Sequence, residues 1–358
     1  MADDVYRGLA GALDRLPYGF PATGSGIEIE IEILEIMFTP GEAAIAARLS
    51  EEWESIAGIA GRTGLGVPEM ESQLWLMAMK GLVRAEKHDG ERVFSLNQFI
   101  VGSWEATMFR LEGEAAHRMA HLTEEYIAAT GGLAGIMTPA PALHRVVPAR
   151  GTVKSEWILP YDDVRGFLSD ARSFVLRDCV CRKQHDLLGS RRCSFPRRAC
   201  LSFSPADRPA GPDSISREDA LAFLDEARSI GLVHMVSNVA KGVNYVCNCC
   251  GCCCGILRGI VEYGLKDSVA HANYHCVVDG EDCSGCGVCV QRCQVKAITV
   301  EDSIAVADKQ RCVGCGLCVP TCAAGATQLR LRPESEVVEP PEDIGAWAAL
   351  RKANRNLA

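Results

Sequence analysis

The stretches "CSGCGVCVQRC" at residues 283–293 and "CVGCGLCVPTC" at residues 312–322 are two copies of one cysteine motif. The first copy contains Cys283, Cys286, Cys289 and Cys293, and the second contains Cys312, Cys315, Cys318 and Cys322 at the same spacing. A strict repeat of this kind marks a duplicated structural unit. All 19 cysteines lie between Cys179 and Cys322, and repeated C-x-x-C spacing predicts thiolates that bind metal rather than a disulfide framework.

Each copy follows C-x₂-C-x₂-C-x₃-C, a spacing with which one coiled loop brings thiolates to the irons of a cubane iron–sulfur cluster. From about Cys276 to Arg332 the chain resembles the bacterial ferredoxins that bind two [4Fe–4S] clusters. The resemblance implies that the fourth cysteine of each run reaches the other cluster. The implied ligand sets are Cys283, Cys286, Cys289 and Cys322 for one cluster, and Cys312, Cys315, Cys318 and Cys293 for the other.

Two further features fit this resemblance. Gly285, Gly287, Gly314 and Gly316 lie inside the loops, where a backbone that approaches a cluster needs positive φ. The stretch "AITVEDSIAVAD" at 297–308 alternates β-favouring residues around a turn and predicts a hairpin. One feature departs from the family: Gln294 and Ala323 stand where proline usually follows the fourth cysteine. Proline is not a ligand, so we expect cluster binding to be kept, with one-electron chemistry at about −400 mV.

Ten more cysteines form two groups, in "CVCRKQHDLLGSRRCSFPRRAC" at 179–200 and "CNCCGCCCG" at 247–255. Neighbouring Cα atoms lie about 3.8 Å apart, too close for unstrained disulfides between adjacent cysteines. We therefore expect a metal or redox site. The candidate ligands are Cys179, Cys181, Cys193, Cys200, Cys247, Cys249, Cys250, Cys252, Cys253 and Cys254.

Three interpretations of these ten cysteines stay open. The favoured one is at least one further [4Fe–4S] cluster, with Cys179, Cys181, Cys193 and Cys200 binding alongside part of the second group. A zinc site is the second, because C-x-C with C-x₆-C is compatible with tetrahedral S₄ ligation. A redox-active thiol pair or a non-cubane cluster is the third, since the "CCG" element is similar to cluster domains of disulfide-reducing anaerobic enzymes.

Around these cysteines, "SREDALAFLDEARSIGL" at 216–232 predicts a helix that starts at Ser216 and stops at Gly231. Strands are predicted after it, so the cysteines lie in a small α/β body.

The N-terminal third predicts helices at "FTPGEAAIAARL" (38–49), at 52–62 and at "VPEMESQLWLMAMKG" (67–81), then a hairpin around Asp89-Gly90. The preceding "GIEIEIEILEIMF" (26–38) fits either a strand or a helix. This order resembles a winged-helix domain. The presumed recognition helix carries Glu69 and Glu71 against only Lys80, so we expect it to dock a protein rather than DNA.

The predicted fold class is α+β in several domains. These are a winged-helix-like domain at 1–100, a helix and Gly/Pro-rich linker at 101–160, a Cys-rich middle domain at 161–275, a two-cluster ferredoxin module at 276–332, and an acidic, proline-containing spacer with a short helix at 333–358. As a whole, this arrangement resembles multidomain iron–sulfur proteins of anaerobic bacteria, which implies an architecture but no particular reaction.

The sequence lacks a secretory signal and an apolar run long enough for a bilayer, so a cytoplasmic protein without a membrane span is expected. The net charge of −9 also argues against DNA as the partner. The expected function is single-electron transfer to or from a partner oxidoreductase. The alternatives are a redox enzyme with its active site at residues 247–254, or a redox-sensing winged-helix regulator.

Overall fold

The computed structural model describes residues 2–24, 28–129 and 132–357. The chain divides into two units, one made of residues 1–139, 184–190 and 351–358 and the other of residues 140–183 and 191–350. Both units contain helices and strands, so the mixed helix-and-sheet composition expected from the sequence is observed. None of the described helices combines the length and the apolar composition that a bilayer crossing requires.

The first unit is mainly helical. Its helices are α1 (Ala2–Asp14), α2 (Ile29–Met37), α3 (Pro40–Ala46), α4 (Ile56–Thr63), α5 (Val67–Met79), α6 (Trp104–Arg110), α7 (Gly113–Ala128) and α8 (Leu133–Met137). A wide turn covers Phe99–Ser103. Its strands are β1 (Glu54–Ser55), β2 (Val83–His88) and β3 (Glu91–Leu96), which form an antiparallel sheet in the order β1-β3-β2.

Local sequence explains where these elements begin and turn. Thr39 caps α3 through a capping box with Glu42, as the sequence predicts. Asp89 and Gly90 have positive φ and turn β2 into β3, so the predicted hairpin is confirmed. The ambiguous stretch before Phe38 is helical from Ile29, and residues 25–27 lie outside the described residues.

Two predicted helices have different bounds. The helix expected over 52–62 begins only at Ile56, because Ser55 accepts a hydrogen bond from the Gly58 backbone N–H at 3.2 Å and caps the helix there. The preceding Glu54–Ser55 instead pairs with β3. The helix expected at the beginning of the 101–160 segment is divided into α6 and α7.

The second unit is built on a six-stranded antiparallel sheet. Its strands are β4 (His144–Val147), β5 (Ser173–Asp178), β6 (Arg198–Ser204), β7 (Ser214–Ile215), β8 (Val233–Ser237) and β9 (Tyr245–Cys249), in the order β4-β8-β9-β6-β5-β7. Short 3₁₀ turns occupy Ser155–Trp157 and Gly166–Leu168. The stretch 130–160 is thus not only a linker, since it contains α8 and supplies β4 to one edge of this sheet.

Helices α9 (Val180–Leu187), α10 (Arg217–Ile230) and α11 (Gly255–Val261) follow strands of this sheet or lie between them. Ser216 caps α10 through a capping box with Asp219, and Gly231 ends the helix in the left-handed conformation, which confirms both predicted ends. The predicted strands β8 and β9 are also present. Helix α9 has residues in both units, with Val180–Lys183 in the second.

The sheet separates two apolar cores because successive side chains of a strand point to opposite faces. Val233 and Met235 of β8 face one core, and Val236 faces the other, where α10 packs. The cysteines at the end of β9 and in the turn after it are also distributed between the two cores. Cys249 and Cys254 lie in the first core, and Cys250 and Cys253 lie in the second.

The C-terminal part of this unit contains the duplicated motif. Its elements are β10 (Tyr274–Val278), α12 (Val288–Arg292), β11 (Ile298–Glu301), β12 (Ile304–Ala307), β13 (Thr327–Leu331) and 3₁₀ turns at Val319–Thr321 and Glu334–Glu336. Strand β10 pairs with β13, and β11 pairs with β12. The predicted hairpin turns at Asp302 and Ser303, which both have positive φ. The last described helix is α13 (Ile344–Asn354), whose residues from Arg351 onward belong to the first unit.

Candidate metal centres

The loops of the two cysteine runs are shaped by glycine. Gly285 and Gly314 have φ of 66° and 73°. A Cβ at position 285 would lie 2.3 Å from the Ser303 carbonyl oxygen, and one at position 314 would lie 2.4 Å from the Tyr274 carbonyl oxygen. Only glycine satisfies both the conformation and the space. The first loop therefore packs tightly against the turn between β11 and β12, and the second packs against β10.

The first ferredoxin-like site is a cavity lined by cysteines of both runs. Cys283, Cys286 and Cys289 line it from the first run, and Cys322 lines it from the second. The Ala305 backbone N–H donates a hydrogen bond to the Cys283 Sγ at 3.3 Å. Burial raises the pKa of the Cys322 thiol, but nearby backbone N–H groups outweigh burial and hold that pKa below its usual value. Donors aimed at sulfur favour thiolates, so the residues present fit a thiolate-bound cluster.

The second ferredoxin-like site groups Cys293 with Cys312, Cys315 and Cys318, whose thiols interact electrostatically. Cys312 and Cys318 are buried. Burial and the neighbouring thiols raise the pKa of Cys315 well above its usual value. The Ala297 N–H donates to the Cys293 Sγ at 3.2 Å. Four thiolates grouped at one site repel one another. A bound cluster supplies the positive charge that offsets this repulsion.

Cys276 lies at this second site, although sequence reasoning gave it no role there. Its backbone N–H donates to the Cys312 Sγ at 3.4 Å, and its own Sγ lies 3.5 Å from the Cys318 Sγ. The residue precedes the first motif and pairs with Leu329 of β13. Strand pairing, which motif spacing does not reveal, brings it to the second run.

Four cysteines of the middle region form a tight group. The ligand atoms of Cys193, Cys250, Cys252 and Cys253 all lie within 4.8 Å of one another. The Cys193 Sγ is 3.9 Å from that of Cys250 and 3.8 Å from that of Cys253. The Cys252 Sγ is 3.6 Å from the Cys250 Sγ and also 3.6 Å from the Cys253 Sγ. Hydrogen bonds from Cys252 and Cys253 hold the pKa of Cys250 well below its usual value. The contact with Cys250, together with burial, raises the pKa of Cys252 to about 12, although the contact with Cys253 opposes this effect.

Four other cysteines of the middle region form a second group, whose sulfurs do not surround a single point. The thiol of Cys181 interacts with those of Cys179 and Cys254, and Cys254 in turn interacts with Cys249. The contacts with Cys181 and Cys249 lower the pKa of Cys254 to about 5. These four cysteines come from both ends of the region, since Cys179 and Cys181 precede β6, Cys249 is the last residue of β9 and Cys254 follows that strand.

Cys200 and Cys247 lie directly opposite each other on paired strands β6 and β9. Contacts with the thiols of Cys200 and Cys249, and with the His144 imidazole, hold the pKa of Cys247 well below its usual value. The His144 Nε2 lies 2.9 Å from the Tyr245 hydroxyl. The structure therefore places Cys200 with Cys247, whereas Cys193 groups with Cys250, Cys252 and Cys253.

Arg182 is a buried cation among these thiols, with 0% of its surface exposed. Its guanidinium donates to the Pro196 carbonyl at 2.9 Å and to the Asn248 carbonyl at 3.0 Å. Burial opposes its charge, but Cys179, Cys250 and Cys249 outweigh burial and raise its pKa. No carboxylate in the described parts of the chain forms an ion pair with it. Its position next to Cys181 was the available sequence signal, although arginine in a basic loop is usually exposed.

A hydrogen bond at the cysteine-rich turn helps to join the middle region to the ferredoxin-like runs. The Gly251 backbone N–H donates to the Gln294 Oε1 at 3.0 Å. Gly251 lies between Cys250 and Cys252, and Gln294 directly follows Cys293. Both sets of cysteines also contribute to one core, which contains Cys249 and Cys254 together with Cys312 and Cys318.

Comparison with known proteins identifies one family. Residues 275–339 match the family model of the 4Fe-4S dicluster domain. No curated protein and no solved structure matches the chain. The matched range contains both cysteine runs, and the geometry of their loops fits the cofactor of that family. The protein therefore contains a region similar to 4Fe-4S dicluster domains and binds [4Fe–4S] clusters.

Proposed function

We propose that the protein transfers single electrons to or from a partner oxidoreductase through several iron–sulfur centres. A ferredoxin-like region implies a redox partner in general terms. When bound, [4Fe–4S] clusters supply one-electron redox chemistry at low potential. The observation that carries the proposal is the contact between Gly251 and Gln294, because it joins the cysteine-rich turn after β9 to the loop that contains Cys293.

The ligand sets we propose for the ferredoxin-like region follow the grouping of its thiols. Cys283, Cys286, Cys289 and Cys322, which line one cavity, bind one cluster. Cys312, Cys315, Cys318 and Cys293 bind the other, and their mutual electrostatic contacts support this set. The backbone N–H groups of Ala305, Ala297 and Cys276 orient the sulfurs and stabilise their negative charge.

A third [4Fe–4S] cluster in the middle region is proposed at Cys179, Cys181, Cys249 and Cys254. Their thiols interact, but no three of them lie within 4.8 Å of one another among the described residues. A set of thiols that contact one another in a chain, without three around one point, is compatible with a cubane, in which each thiolate binds a different iron. Cys249 and Cys254 are buried, and Arg182 supplies positive charge at Cys179 and Cys249. Two of the four ligands are thus shielded from water, and the same two belong to the core that contains Cys312 and Cys318.

The first unit is proposed to be a winged-helix-like domain that docks a protein partner. Large apolar side chains of α5 are exposed, namely Val67, Trp75, Leu76 and Met79. The Lys80 ammonium at the end of α5 lies 2.6 Å from the Glu42 carboxylate, which neutralises it. DNA phosphates require free cations on such a helix, whereas exposed apolar surface favours a protein partner.

Iron analysis of anaerobically purified full-length variants tests the third cluster. We expect about twelve irons per wild-type chain, because three clusters carry four irons each. Cys181→Ser should lower this value by about four. Cys200→Ser is the matched control in the same region and should leave the iron content unchanged. A wild-type content of about eight irons would remove the third cluster, and equal losses in both variants would refute its ligand set.

A further inference from the structure

We propose that Cys193, Cys250, Cys252 and Cys253 bind a single tetrahedral zinc ion that fixes the turn after β9. Sulfurs that share one zinc at about 2.3 Å lie about 3.8 Å apart at the corners of a tetrahedron. Four of the six Sγ–Sγ distances in this group are 3.9, 3.8, 3.6 and 3.6 Å, and all six are within 4.8 Å. The thiols are therefore already spaced for one metal ion.

The ferredoxin-like runs provide an internal comparison within the same chain. In the described residues, no three of their cysteines have ligand atoms within 4.8 Å of one another, whereas all four atoms of the Cys193 group do. A cubane holds its thiolates apart because each binds a different iron, with inorganic sulfide between the irons. The four sulfurs of the Cys193 group lie too close together to enclose four irons and their sulfides. Their geometry therefore favours a site with one metal ion.

Hydrogen bonds and an ion pair fix the two backbone segments that carry the four cysteines of the proposed zinc site. Cys250, Cys252 and Cys253 come from the turn between β9 and α11, and the Cys254 N–H donates to the Cys250 carbonyl at 3.2 Å. Cys193 comes from the loop before β6, which Arg182 holds through the Pro196 carbonyl. Arg192 of the same loop pairs with Glu262, just beyond α11. Both segments are thus held in place independently of the metal.

Charge and burial also fit a closed zinc site. Four thiolates with Zn²⁺ carry a net charge of about −2, which is costly to bury without a nearby cation. Arg182 is fully buried and contacts Cys250, and within the described residues it forms no ion pair with a carboxylate. Cys250 and Cys253 are buried, and Cys193 and Cys252 are partly exposed. With four protein ligands no position is open to substrate, which is typical of structural zinc.

Zinc is favoured over iron for this set of ligands. Tetrahedral thiolate sites accept either metal, but sites of this type bind Zn²⁺ more tightly than Fe²⁺. The site is independent of the electron-transfer proposal, because its four cysteines are outside the three proposed cluster ligand sets. The zinc would hold the turn from which Cys249 and Cys254 project.

Metal analysis and zinc K-edge absorption spectroscopy of the full-length protein test this proposal. The protein is purified without oxygen from cells supplied with both iron and zinc. We expect about one zinc per chain, with four sulfur neighbours at about 2.3 Å and no iron at short range. Cys193→Ser and Cys252→Ser should each lower zinc at least tenfold and leave iron unchanged, and Cys200→Ser should change neither metal.

Wild-type protein without zinc would overturn the proposal, as would zinc that has nitrogen or oxygen neighbours. Loss of about four irons in Cys193→Ser would also overturn it, since that residue would then bind a cluster. The spectrum of the wild-type protein requires no substitution, so a variant that fails to fold does not remove the test. An unchanged iron content separates failure of the zinc site from failure of the electron-transfer proposal.

Discussion

The backbone N–H of Gly251 lies 3.0 Å from the Oε1 of Gln294, and no side-chain carbon fits at position 251. A Cβ there would lie 1.9 Å from the Gln294 carbonyl oxygen. The turn that contains Cys250 and Cys252 therefore contacts the residue that follows Cys293. In the usual two-cluster motif a proline occupies that position, whereas here a glutamine side chain accepts the hydrogen bond.

Gly251→Ala should destabilise this contact. The methyl group would collide with backbone rather than with a flexible side chain, so we expect a loss of about 1–3 kcal/mol in the free energy of unfolding. Anaerobic denaturant titration measures it. Gly211→Ala is the matched control, because a Cβ at position 211 meets nothing within 4 Å. Equal stability of the two variants would show that the turn does not pack against Gln294.

Cys276→Ser should keep the iron content of the wild-type protein, because Cys276 belongs to neither proposed ligand set. Its Sγ lies 3.5 Å from the Cys318 Sγ. A serine hydroxyl is a stronger donor than a thiol, and a hydrogen bond to a ligand sulfur stabilises the more negative, reduced state. We expect a more positive reduction potential at this site in a titration followed by electron paramagnetic resonance. Cys318→Ser should instead lose iron, and a similar iron loss in Cys276→Ser would make Cys276 a ligand.

Arg182→Met should be strongly destabilising because it removes the buried cation among the thiolates. Breaking a buried charge pair from one side typically costs about 3–5 kcal/mol. We expect lower zinc and iron contents together with a loss of this size in anaerobic denaturation. Arg177→Met on β5 is the control, since its side chain is 53% exposed and pairs with Asp213. A surface change of this kind should alter stability by less than about 0.5 kcal/mol. Wild-type behaviour of Arg182→Met would contradict the charge argument.

His234 should make the fold less stable as the pH falls. Burial lowers the pKa of its imidazole to about 4, although the hydrogen bond with Asn248 at 2.7 Å partly opposes this effect. The unfolded chain takes up the proton near pH 6.5, so the stabilisation present above that pH is lost as the pH falls toward 4. Between about pH 6.5 and 5.5 we expect a loss of about 1 kcal/mol in unfolding free energy. Unfolding titrations at several pH values measure it, and His234→Gln should remove this part of the slope. An unchanged slope in that variant would assign the pH dependence to other groups.

Local signals predicted much of the fold because they act over a few residues. Thr39, Ser216 and Gly231 mark helix ends through hydrogen bonds to nearby backbone, and Asp302 and Ser303 turn the hairpin of the ferredoxin-like region. The edge strand at His144–Val147 was missed. Its identity as a strand depends on pairing with β8, far away in sequence, and the surrounding glycines and prolines suggested a linker.

In the candidate sites too, local sequence predicted less wherever residues distant in sequence come together. The repeat identified the cofactor of the C-terminal region, and the comparison with known families supports it. How the ten middle cysteines divide did not follow from spacing. Cys249 and Cys250 are neighbours in sequence, yet they lie in different cores because the chain turns at the end of β9. Spacing also did not single out Arg182 among the basic residues of its segment or give Cys276 a role, since burial and strand pairing bring them to the thiols.

A redox titration of the anaerobic full-length protein, followed by low-temperature electron paramagnetic resonance, tests the electron-transfer function most directly. The account predicts reversible one-electron reduction at low potential, roughly −400 mV, with magnetic interaction between a middle-region cluster and a cluster of residues 275–339. Cys181→Ser should remove that interaction and keep the signals of the ferredoxin-like region. A protein that shows no reducible iron–sulfur signal at any applied potential would contradict the account.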